Sequence, residues 1–326
     1  MLARMPESIF LTTTARNTAA RPWLTANLER VVRASEAYAG GDFVRADDPR
    51  RADFILFVDS EEPYLGDVLR APLFRACEER SYVHNVNDAA VAVLPGMYPD
   101  IQGPPRLPDL QLGAFYLRCF DNQALLPRDE TWSPKYLFSF VGNVSTAPAV
   151  RGRILALPPK DALLINRSSG LRDDDLDYVG TLRASKFVLC PRGLGPTSWR
   201  FYETMMAGRV PVIVSDGWVP ARELDWPSFS LRVAESEIAS IPALCAANED
   251  RAAEMGRRAR DEWERCCSLQ QTFGWIGRRL RELREARSRT PFHARREFLR
   301  ELRYRGHVRK YARWKGGQTL RALGLR

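Results

Sequence analysis

The chain has 326 residues, of which 45% are hydrophobic and 27% are charged, as in ordinary soluble globular proteins. This length exceeds one ordinary core and favours two domains of about 100–150 residues each. The sequence lacks an apolar run of the roughly 18 residues that span a bilayer, and its N-terminal segment lacks a secretory cleavage pattern. Six cysteines without CxxC spacing predict reduced thiols. We therefore expect a folded cytoplasmic protein and exclude transmembrane and disulfide-rich classes.

The net charge of +9 is concentrated in the C-terminal tail. Residues 278–326 contain 17 Lys or Arg and 4 Asp or Glu, a balance of +13 that leaves the first 277 residues at −4. The overall basicity therefore does not argue for nucleic-acid binding, and we expect no nucleic-acid partner. Apolar residues recur at helical spacing among the arginines: Phe298, Leu299, Leu302, Tyr304, Val308, Tyr311 and Trp314. Such a tail can lie on an anionic membrane surface, pack back on the body as a helix, or be partly disordered.

Strand and helix signals alternate along the first 120 residues. The predicted elements are a strand at 8–14, a helix at 21–38, a strand at 54–60, a helix at 67–80, a strand at 81–86 and a strand at 113–120. Pro72 is expected to shorten or kink the second helix. The proline-rich segment 94–110 is predicted to be an irregular loop.

The alternation restarts after a polar connection that follows residue 120. The predicted elements are a strand at 135–143, a helix near 148–157, a strand at 161–168, a helix near 173–184, a strand at 186–190, a helix at 198–207, and strands at 210–216 and 229–233. From about residue 235 the chain reads as mainly helical. The pattern predicts two parallel-sheet α/β domains, 1–125 and 135–275, followed by a basic helical tail, 276–326. Ligands are then expected at the carboxyl ends of the strands.

A glycine-rich turn follows the strand at 186–190. Its sequence, GLGPTS (193–198), nearly matches the dinucleotide fingerprint GxGxxG, and Asp216 lies where a ribose-binding acid would follow. An NAD(P)-dependent oxidoreductase is therefore one alternative. Against it, the turn follows at least the third strand of its domain, and Pro196 is unexpected there. The ATPase phosphate loop is excluded because no Gly-Lys pair is present.

Charged residues on both sides of this turn suggest another phosphate compound. Arg192 and Arg200 would flank a diphosphate at the helix N-terminus, where free N–H groups favour anions, and Thr197 or Ser198 would cap the helix. Glu203, one turn further on, can accept both hydrogen bonds of a ribose diol. The same spacing also fits a solvent-exposed Arg200–Glu203 pair with Arg192 on the surface.

A longer pattern around the turn resembles the signature of exostosin-type glycosyltransferases. The strings SKFVLCPRG, SWRFYETMMAGRVPVIVSD and DWPSFSL carry the resemblance, and KYLFSFVGN…VRGRI resembles the opening of the same domain. The matching signature positions are Ser185, Lys186, Phe187, Leu189, Cys190, Pro191, Gly193, Ser198, Arg200, Glu203, Gly208, Pro211, Val212, Ile213, Asp216, Asp225, Trp226, Phe229 and Ser230. The resemblance spans roughly residues 135–245. Two positions depart from the usual family residues, with Thr204 in place of Ala and Arg209 in place of Cys.

The resemblance implies the GT-B fold, in which two Rossmann-like domains face a cleft and the C-terminal domain binds a nucleotide sugar. It also implies sugar transfer to a hydroxyl of a glycan or glycolipid in polysaccharide or cell-surface glycan synthesis, generally inverting and without a metal or other cofactor. In such a site arginines and helix N-termini stabilise the departing diphosphate. The candidate donor-binding residues are Gly142, Asn143, Arg151, Arg192, Gly193, Ser198, Arg200, Glu203 and Asp216. The acidic RDDDLD (172–177) superficially offers a DxD pair, Asp173 and Asp175, but the helix dipole explains it, and no metal site is expected.

The catalytic base is expected from the N-terminal half, across the cleft. His84, whose ordinary pKa is about 6.5, and Asp88 are the candidates, and Asp59 and Glu61 also follow a strand end. A lone histidine within a strand fits a structural role as well. Lipid-linked acceptors would suit a protein peripheral to the inner face of the membrane. The non-enzymatic alternative is membrane or nucleic-acid binding through the tail.

Overall fold

Two parallel β-sheets form the framework of the protein. The computed structural model describes residues 5–17, 25–59, 65–88, 90–101, 104–128, 132–158, 160–167, 177–304, 311–312 and 315–316. A six-stranded sheet lies in the N-terminal half and a five-stranded sheet in the C-terminal half, and every strand pair is parallel. The predicted pair of parallel-sheet α/β units is therefore confirmed. Within the described ranges, no helix is long and apolar enough to cross a membrane.

The N-terminal sheet has the strand order β2-β1-β3-β4-β5-β6. Its elements are β1 (Glu7–Thr12), α1 (Ala26–Ala37), β2 (Phe43–Arg45), β3 (Phe54–Val58), α2 (Gly66–Arg70), α3 (Pro72–Ala76), β4 (Ser81–His84), β5 (Gly96–Tyr98) and β6 (Gln111–Gly113). Every residue of β3 is buried, as a continuous apolar run in a parallel sheet predicts. Pro72 breaks the predicted helix into α2 and α3 and occupies the first turn of α3, where its missing N–H is not needed.

Two predictions for this half are wrong. The proline-rich segment 94–110 contains β5, because its prolines flank the three paired residues and Gly96 lies against the Val83 carbonyl, where a side chain would overlap. The strand predicted at 113–120 ends at Gly113. The following residues are apolar because they fill the core shared by the two domains, where the rings of Phe115 and Trp275 are 4.1 Å apart.

The C-terminal sheet has the strand order β11-β10-β9-β7-β8. Its elements are β7 (Tyr136–Gly142), α4 (Pro148–Leu155), β8 (Ala162–Asn166), α5 (Tyr178–Arg183), β9 (Ser185–Pro191), α6 (Arg200–Met206), β10 (Val210–Val214), α7 (Trp226–Phe229), β11 (Leu231–Val233), α8 (Ile241–Ala247) and α9 (Ala252–Cys266). Gly208 ends α6 with a φ of 67°, as expected of a C-terminal glycine. The strand predicted at 229–233 is shorter than expected: Phe229 ends the one-turn helix α7, and β11 begins at Leu231.

The chain returns to the N-terminal domain through α10 (Leu269–Arg289) and α11 (Ala294–Tyr304). α10 packs on α1 and runs without a break through the boundary predicted between residues 275 and 276. Its apolar stripe, which includes Trp275 and Leu280, is buried in the core that both domains share. In α11, Leu302 is buried and Glu297 pairs with Arg106. The described part of the tail therefore packs on the body, and Val308 and Trp314 lie outside the described residues.

Candidate active site

A cleft of about 640 Å³ lies between the carboxyl ends of the two sheets, within the usual size range of ligand sites. Eight predicted site residues line it: Asp88, Gly142, Asn143, Arg151, Gly193, Ser198, Arg200 and Glu203. Three do not, namely His84, Arg192 and Asp216. The fold thus brings residues from the ends of β4, β7 and β9 to one place, although they are far apart in the sequence.

Arg200 is a buried cation of the cleft. It lies at the start of α6, is 8% exposed, and donates from Nη2 to the Val141 carbonyl at 2.5 Å. Its Nε and Nη1 atoms are buried and make no geometrically acceptable hydrogen bond within the described residues, although the Tyr178 side chain lies near enough to interact with the guanidinium. Unsatisfied buried donors of a charged group are costly. A bound anion in the cleft would satisfy them, and the burial of Arg200 rules out the solvent-exposed pair with Glu203.

Arg151 holds the wall of the cleft beside Arg200. It donates to the backbone carbonyl of Asn143 at 2.8 Å and to that of Arg192 at 3.0 Å. Burial, followed by the positive charges of Arg200 and Arg192, lowers the pKa of Arg151 to about 10. Like charges held this close repel each other, so an anion between them would lower the free energy of the site.

Gly142 packs closely against the Phe140 ring and Arg200. A Cβ at this position would lie 3.1 Å from Arg200 Nη2 and 2.9 Å from the Phe140 ring. The close approach expected at Gly142 therefore exists, but it is an approach of the guanidinium. At Gly193 a Cβ would lie 3.4 Å from Arg151 Nη2, an ordinary contact.

Arg192 and Asp216 form a separate network with Glu235. Arg192 Nε donates to Glu235 Oε1 at 2.7 Å. The Glu235 backbone N–H donates to Asp216 Oδ1 at 2.9 Å, and the Asp216 N–H donates back to Glu235 Oε1 at 3.4 Å. These reciprocal bonds resemble a capping box. Both residues thus have local partners at the end of β10 and lie outside the cleft lining.

Glu203 lies one turn along α6, on the cleft wall. The Tyr178 hydroxyl donates to its Oε2 at 2.7 Å, and Asn122 Nδ2 donates to its Oε1 at 3.4 Å. Each carboxylate oxygen can accept more than one hydrogen bond. Glu203 therefore keeps acceptor capacity for ligand hydroxyls while these two contacts hold its orientation.

The two candidate bases occupy different environments. Asp88 lies on the cleft in the loop after β4, where its side chain is exposed and desolvation by the surrounding protein raises the pKa of its carboxyl. His84 is fully buried within β4, and burial lowers its pKa to about 4. Asp59, whose pKa burial raises to about 6, bonds to Asn27 and Val86 and does not line the cleft.

Sequence reasoning missed an aromatic wall on the cleft. The Arg118 guanidinium lies 4.1 Å from the centre of the Trp199 ring, and Tyr116 meets that ring edge-on at 6.4 Å. Trp199 is 45% exposed. Tyr116 and Arg118 belong to GAFYLRCF, which its apolar content presented as a strand. The only hint in the sequence was a tryptophan, Trp199, at the start of the predicted helix.

The two departures from the family pattern lie outside the cleft lining. Arg209 is 1% exposed, stacks 4.6 Å from the centre of the Trp132 ring and donates to the Arg183 carbonyl at 3.0 Å. Thr204 is fully buried, with Oγ1 at 3.5 Å from Cys190 Sγ. Both substitutions are accommodated by local packing.

Residues 115–247 match the model of the Exostosin GT47 domain. The resemblance predicted from residues 135–245 is thus confirmed over this segment, which is less than half of the chain. The "Exostosin-1 homolog" of Caenorhabditis elegans is 39% identical over 94 residues, which are 28% of this chain and 25% of that protein. A "Probable glycosyltransferase" of Arabidopsis thaliana is 39% identical over 73 residues, which are 22% of this chain and 16% of that protein. The chain therefore matches only a quarter or less of the length of these relatives.

Two solved structures of similar outline contain UDP. Anabaena Alr3699/HepE in complex with UDP covers 84% of this chain and 99% of its own, with 14% identity and a TM-score of 0.39. The T4 phage BGT in complex with UDP and Mn²⁺ covers 86% of this chain and 99% of its own, with 11% identity and a TM-score of 0.37. Because both scores are below 0.5, the description of the fold rests on the two parallel sheets themselves.

Proposed function

We propose that the protein is a glycosyltransferase that moves a sugar from a nucleoside-diphosphate sugar to a hydroxyl of a glycan or lipid-linked glycan. The observation that carries the proposal is Arg200, a buried guanidinium on the cleft with two unsatisfied donors. Arg151 adds a second buried cation on the same wall. The family model that matches residues 115–247 and the names of the similar proteins support the same reaction class.

The cleft divides naturally into a donor half and an acceptor half. The diphosphate would lie against Arg151 and Arg200, where charge-assisted hydrogen bonds are strongest. Hydroxyls of the ribose or of the sugar would donate to Glu203. The acceptor would enter between Asp88 and the Trp199 ring, whose exposed apolar surface suits the C–H face of a sugar.

The proposed chemistry is a single displacement with inversion. The acceptor oxygen attacks the anomeric carbon as the bond from that carbon to the diphosphate oxygen breaks, and the hydroxyl proton passes to Asp88. The electron pair of the broken bond stays on the diphosphate, whose growing charge Arg151 and Arg200 stabilise. We propose that this needs no metal ion. Among the residues that the structure describes, no group of three or more His, Cys, Asp or Glu is arranged to hold one, while residues 172–176 of the RDDDLD segment lie outside them.

A thermal-shift titration tests the proposal. We expect UDP, GDP or TDP to raise the melting temperature in the presence of EDTA, and NAD(H) and NADP(H) to leave it unchanged. Stabilisation by the nicotinamide nucleotides alone would support the oxidoreductase alternative. Stabilisation that requires Mn²⁺ or Mg²⁺ would overturn the metal-independent part. If no nucleoside diphosphate stabilises the protein, the transferase proposal fails.

Association with an anionic membrane is the second part of the proposal. The exposed residues of α11 include Arg295, Arg296, Leu299, Arg300 and Arg303, and Leu299 is 53% exposed. A cationic surface with an apolar centre suits anionic lipid headgroups. Flotation with vesicles containing phosphatidylglycerol should recover the protein, and the double variant Arg296→Glu, Arg303→Glu should stay at the bottom of the gradient. Equal recovery of the two proteins would contradict membrane binding by this face.

A further inference from the structure

A buried carboxyl joins the two domains beside the cleft. Asp100, which follows β5 in the N-terminal domain, is fully buried. Its Oδ1 accepts a hydrogen bond from the Thr197 backbone N–H at 2.9 Å, and its Oδ2 accepts one from the Tyr116 hydroxyl. Thr197 Oγ1 also donates to the Pro99 carbonyl at 2.5 Å. Three hydrogen bonds therefore hold Asp100 and Pro99 to residues of the cleft wall.

Gly195 makes this contact possible. A Cβ at Gly195 would overlap the Asp100 carboxyl and would lie 3.0 Å from the Asp88 carbonyl oxygen. Its φ is not positive, since Gly208 is the only positive-φ glycine among the described residues. The second glycine of the GLGPTS turn is therefore explained by close packing of two N-terminal loops, whereas a dinucleotide fingerprint would assign it to a phosphate.

The contact does not depend on an ion pair. Burial raises the pKa of Asp100 to about 8, opposed by the Thr197 N–H and reinforced by the nearby Asp88 carboxylate. The other titratable groups near it are the hydroxyls of Tyr116 and Tyr202. Burial therefore favours the protonated carboxyl, and its hydrogen bonds to Thr197 and Tyr116 hold the contact without a cationic partner.

We propose that Asp100 is a positioning residue that fixes the glycine-rich turn of the donor half relative to Asp88 and Tyr116 of the acceptor half. Loss of this contact would separate the candidate base from the donor without removing any group that touches the donor phosphates. The contact itself is independent of the proposed function, while its role in catalysis rests on the transferase reaction.

Amide hydrogen exchange of the free protein tests the contact. We expect residues 193–199 to exchange about tenfold faster in Asp100→Ala, because a local hydrogen-bonded contact has been lost. Gly195→Ala should show the same change from the other side of the contact. Asp109→Ala, which removes an exposed carboxyl from the same segment, is the matched control and should exchange like the wild type. Unchanged exchange in Asp100→Ala, or equal acceleration throughout both domains, would overturn the proposal.

The conservative variant Asp100→Asn supplies a second test. It is isosteric with the protonated carboxyl, cannot ionise, and should exchange no faster than the wild type at pH 7. Because the pKa of Asp100 is raised, its contribution to the contact is lost as the pH rises through about 8. Exchange of residues 193–199, corrected for its intrinsic pH dependence, should therefore rise from about pH 5 to about pH 8 and level off above that, in the wild type only. The same rise in Asp100→Asn would contradict the assignment.

Turnover separates positioning from donor binding. With a nucleotide-sugar donor, Asp100→Ala should lower kcat about tenfold or more while changing the affinity for UDP less than about threefold. Equal kcat in Asp100→Ala and Asp109→Ala would refute the catalytic role. If no nucleoside diphosphate binds the wild type, the transferase proposal has failed, and the exchange measurements still decide whether the contact exists.

Discussion

The groups proposed to stabilise the leaving group and to accept the proton lie at the carboxyl ends of different sheets and differ in charge. The edge of the C-terminal sheet presents Arg151 and Arg200, which are buried and held by backbone carbonyls. The edge of the N-terminal sheet presents carboxyls, with Asp88 on the cleft and Asp59 and Asp100 behind it. The first arrangement suits an anionic leaving group, and the second suits removal of a proton. One α/β scaffold can therefore offer buried cations at the end of one sheet and carboxyls at the end of the other, because the loops that follow the strands differ.

Asp88→Asn removes the candidate base at the N-terminal sheet and should have the largest effect on turnover. General-base catalysis contributes about 10²–10⁴-fold, so turnover should fall by about that factor. UDP affinity should be unchanged, because Asp88 lies on the acceptor half. In the wild type, activity should decline as the pH falls through the raised pKa of Asp88, since only the carboxylate accepts the proton. Turnover assays with parallel UDP titrations check both, and full activity in Asp88→Asn would remove it from the mechanism.

Arg200→Ala removes a buried cation at the C-terminal sheet and should weaken binding of the diphosphate. Hydrogen bonds to charged groups contribute about 1.5–3 kcal/mol, so we expect UDP to bind about 10–100-fold more weakly. Calorimetric titration measures the loss. Arg192→Ala is the control, because Arg192 pairs with Glu235 outside the cleft lining. Equal losses in the two variants would show that the phosphates do not distinguish the buried arginine from the paired one.

Gly142→Ala tests whether UDP binding depends on the position of the Arg200 guanidinium. The added Cβ would crowd Arg200 Nη2 and the Phe140 ring, and overpacking of this kind costs about 1–3 kcal/mol. We expect a lower melting temperature and weaker UDP binding. Gly152→Ala is the matched control: it lies in α4 with its nearest atom 4.0 Å from the added Cβ, and alanine there should stabilise the helix by about 0.5–1 kcal/mol. A harmless Gly142→Ala would contradict the packing argument.

Arg192→Ala alone should have the smallest effect. The Arg192–Glu235 pair is about one-third and one-quarter exposed at its two side chains, and pairs of this kind contribute about 0.2–1 kcal/mol. The melting temperature should fall by a few degrees at most, and UDP affinity should change less than about threefold. A loss as large as that of Arg200→Ala would place the diphosphate nearer to Glu235 than we propose.

The sequence predicted the sheets better than the role of each arginine. Continuous apolar runs such as 54–58 and 210–214 form buried strands, because a run without polar side chains is stable only where both faces of the sheet are covered. Arg192 and Arg200 looked equivalent on either side of the turn. They differ because Glu235, 43 residues after Arg192, pairs with that residue, whereas Arg200 turns towards Val141. The residues around Arg192 in the sequence do not indicate that Glu235 will be its partner.

The glycine-rich turn also combines features that the sequence predicted with contacts that it did not. The order of residues along the chain was enough to predict the α/β class, the strand–turn–helix order around residues 185–216 and the resemblance to exostosin-type domains. Periodicity and short motifs depend only on residues that are close in the sequence. Only the tertiary structure decided that Gly195 packs on Asp100, that His84 is buried and that Asp88 reaches the cleft. The physical reason is that burial and hydrogen-bond partnership are set by which loops the two sheets bring together, and those loops are distant in the chain.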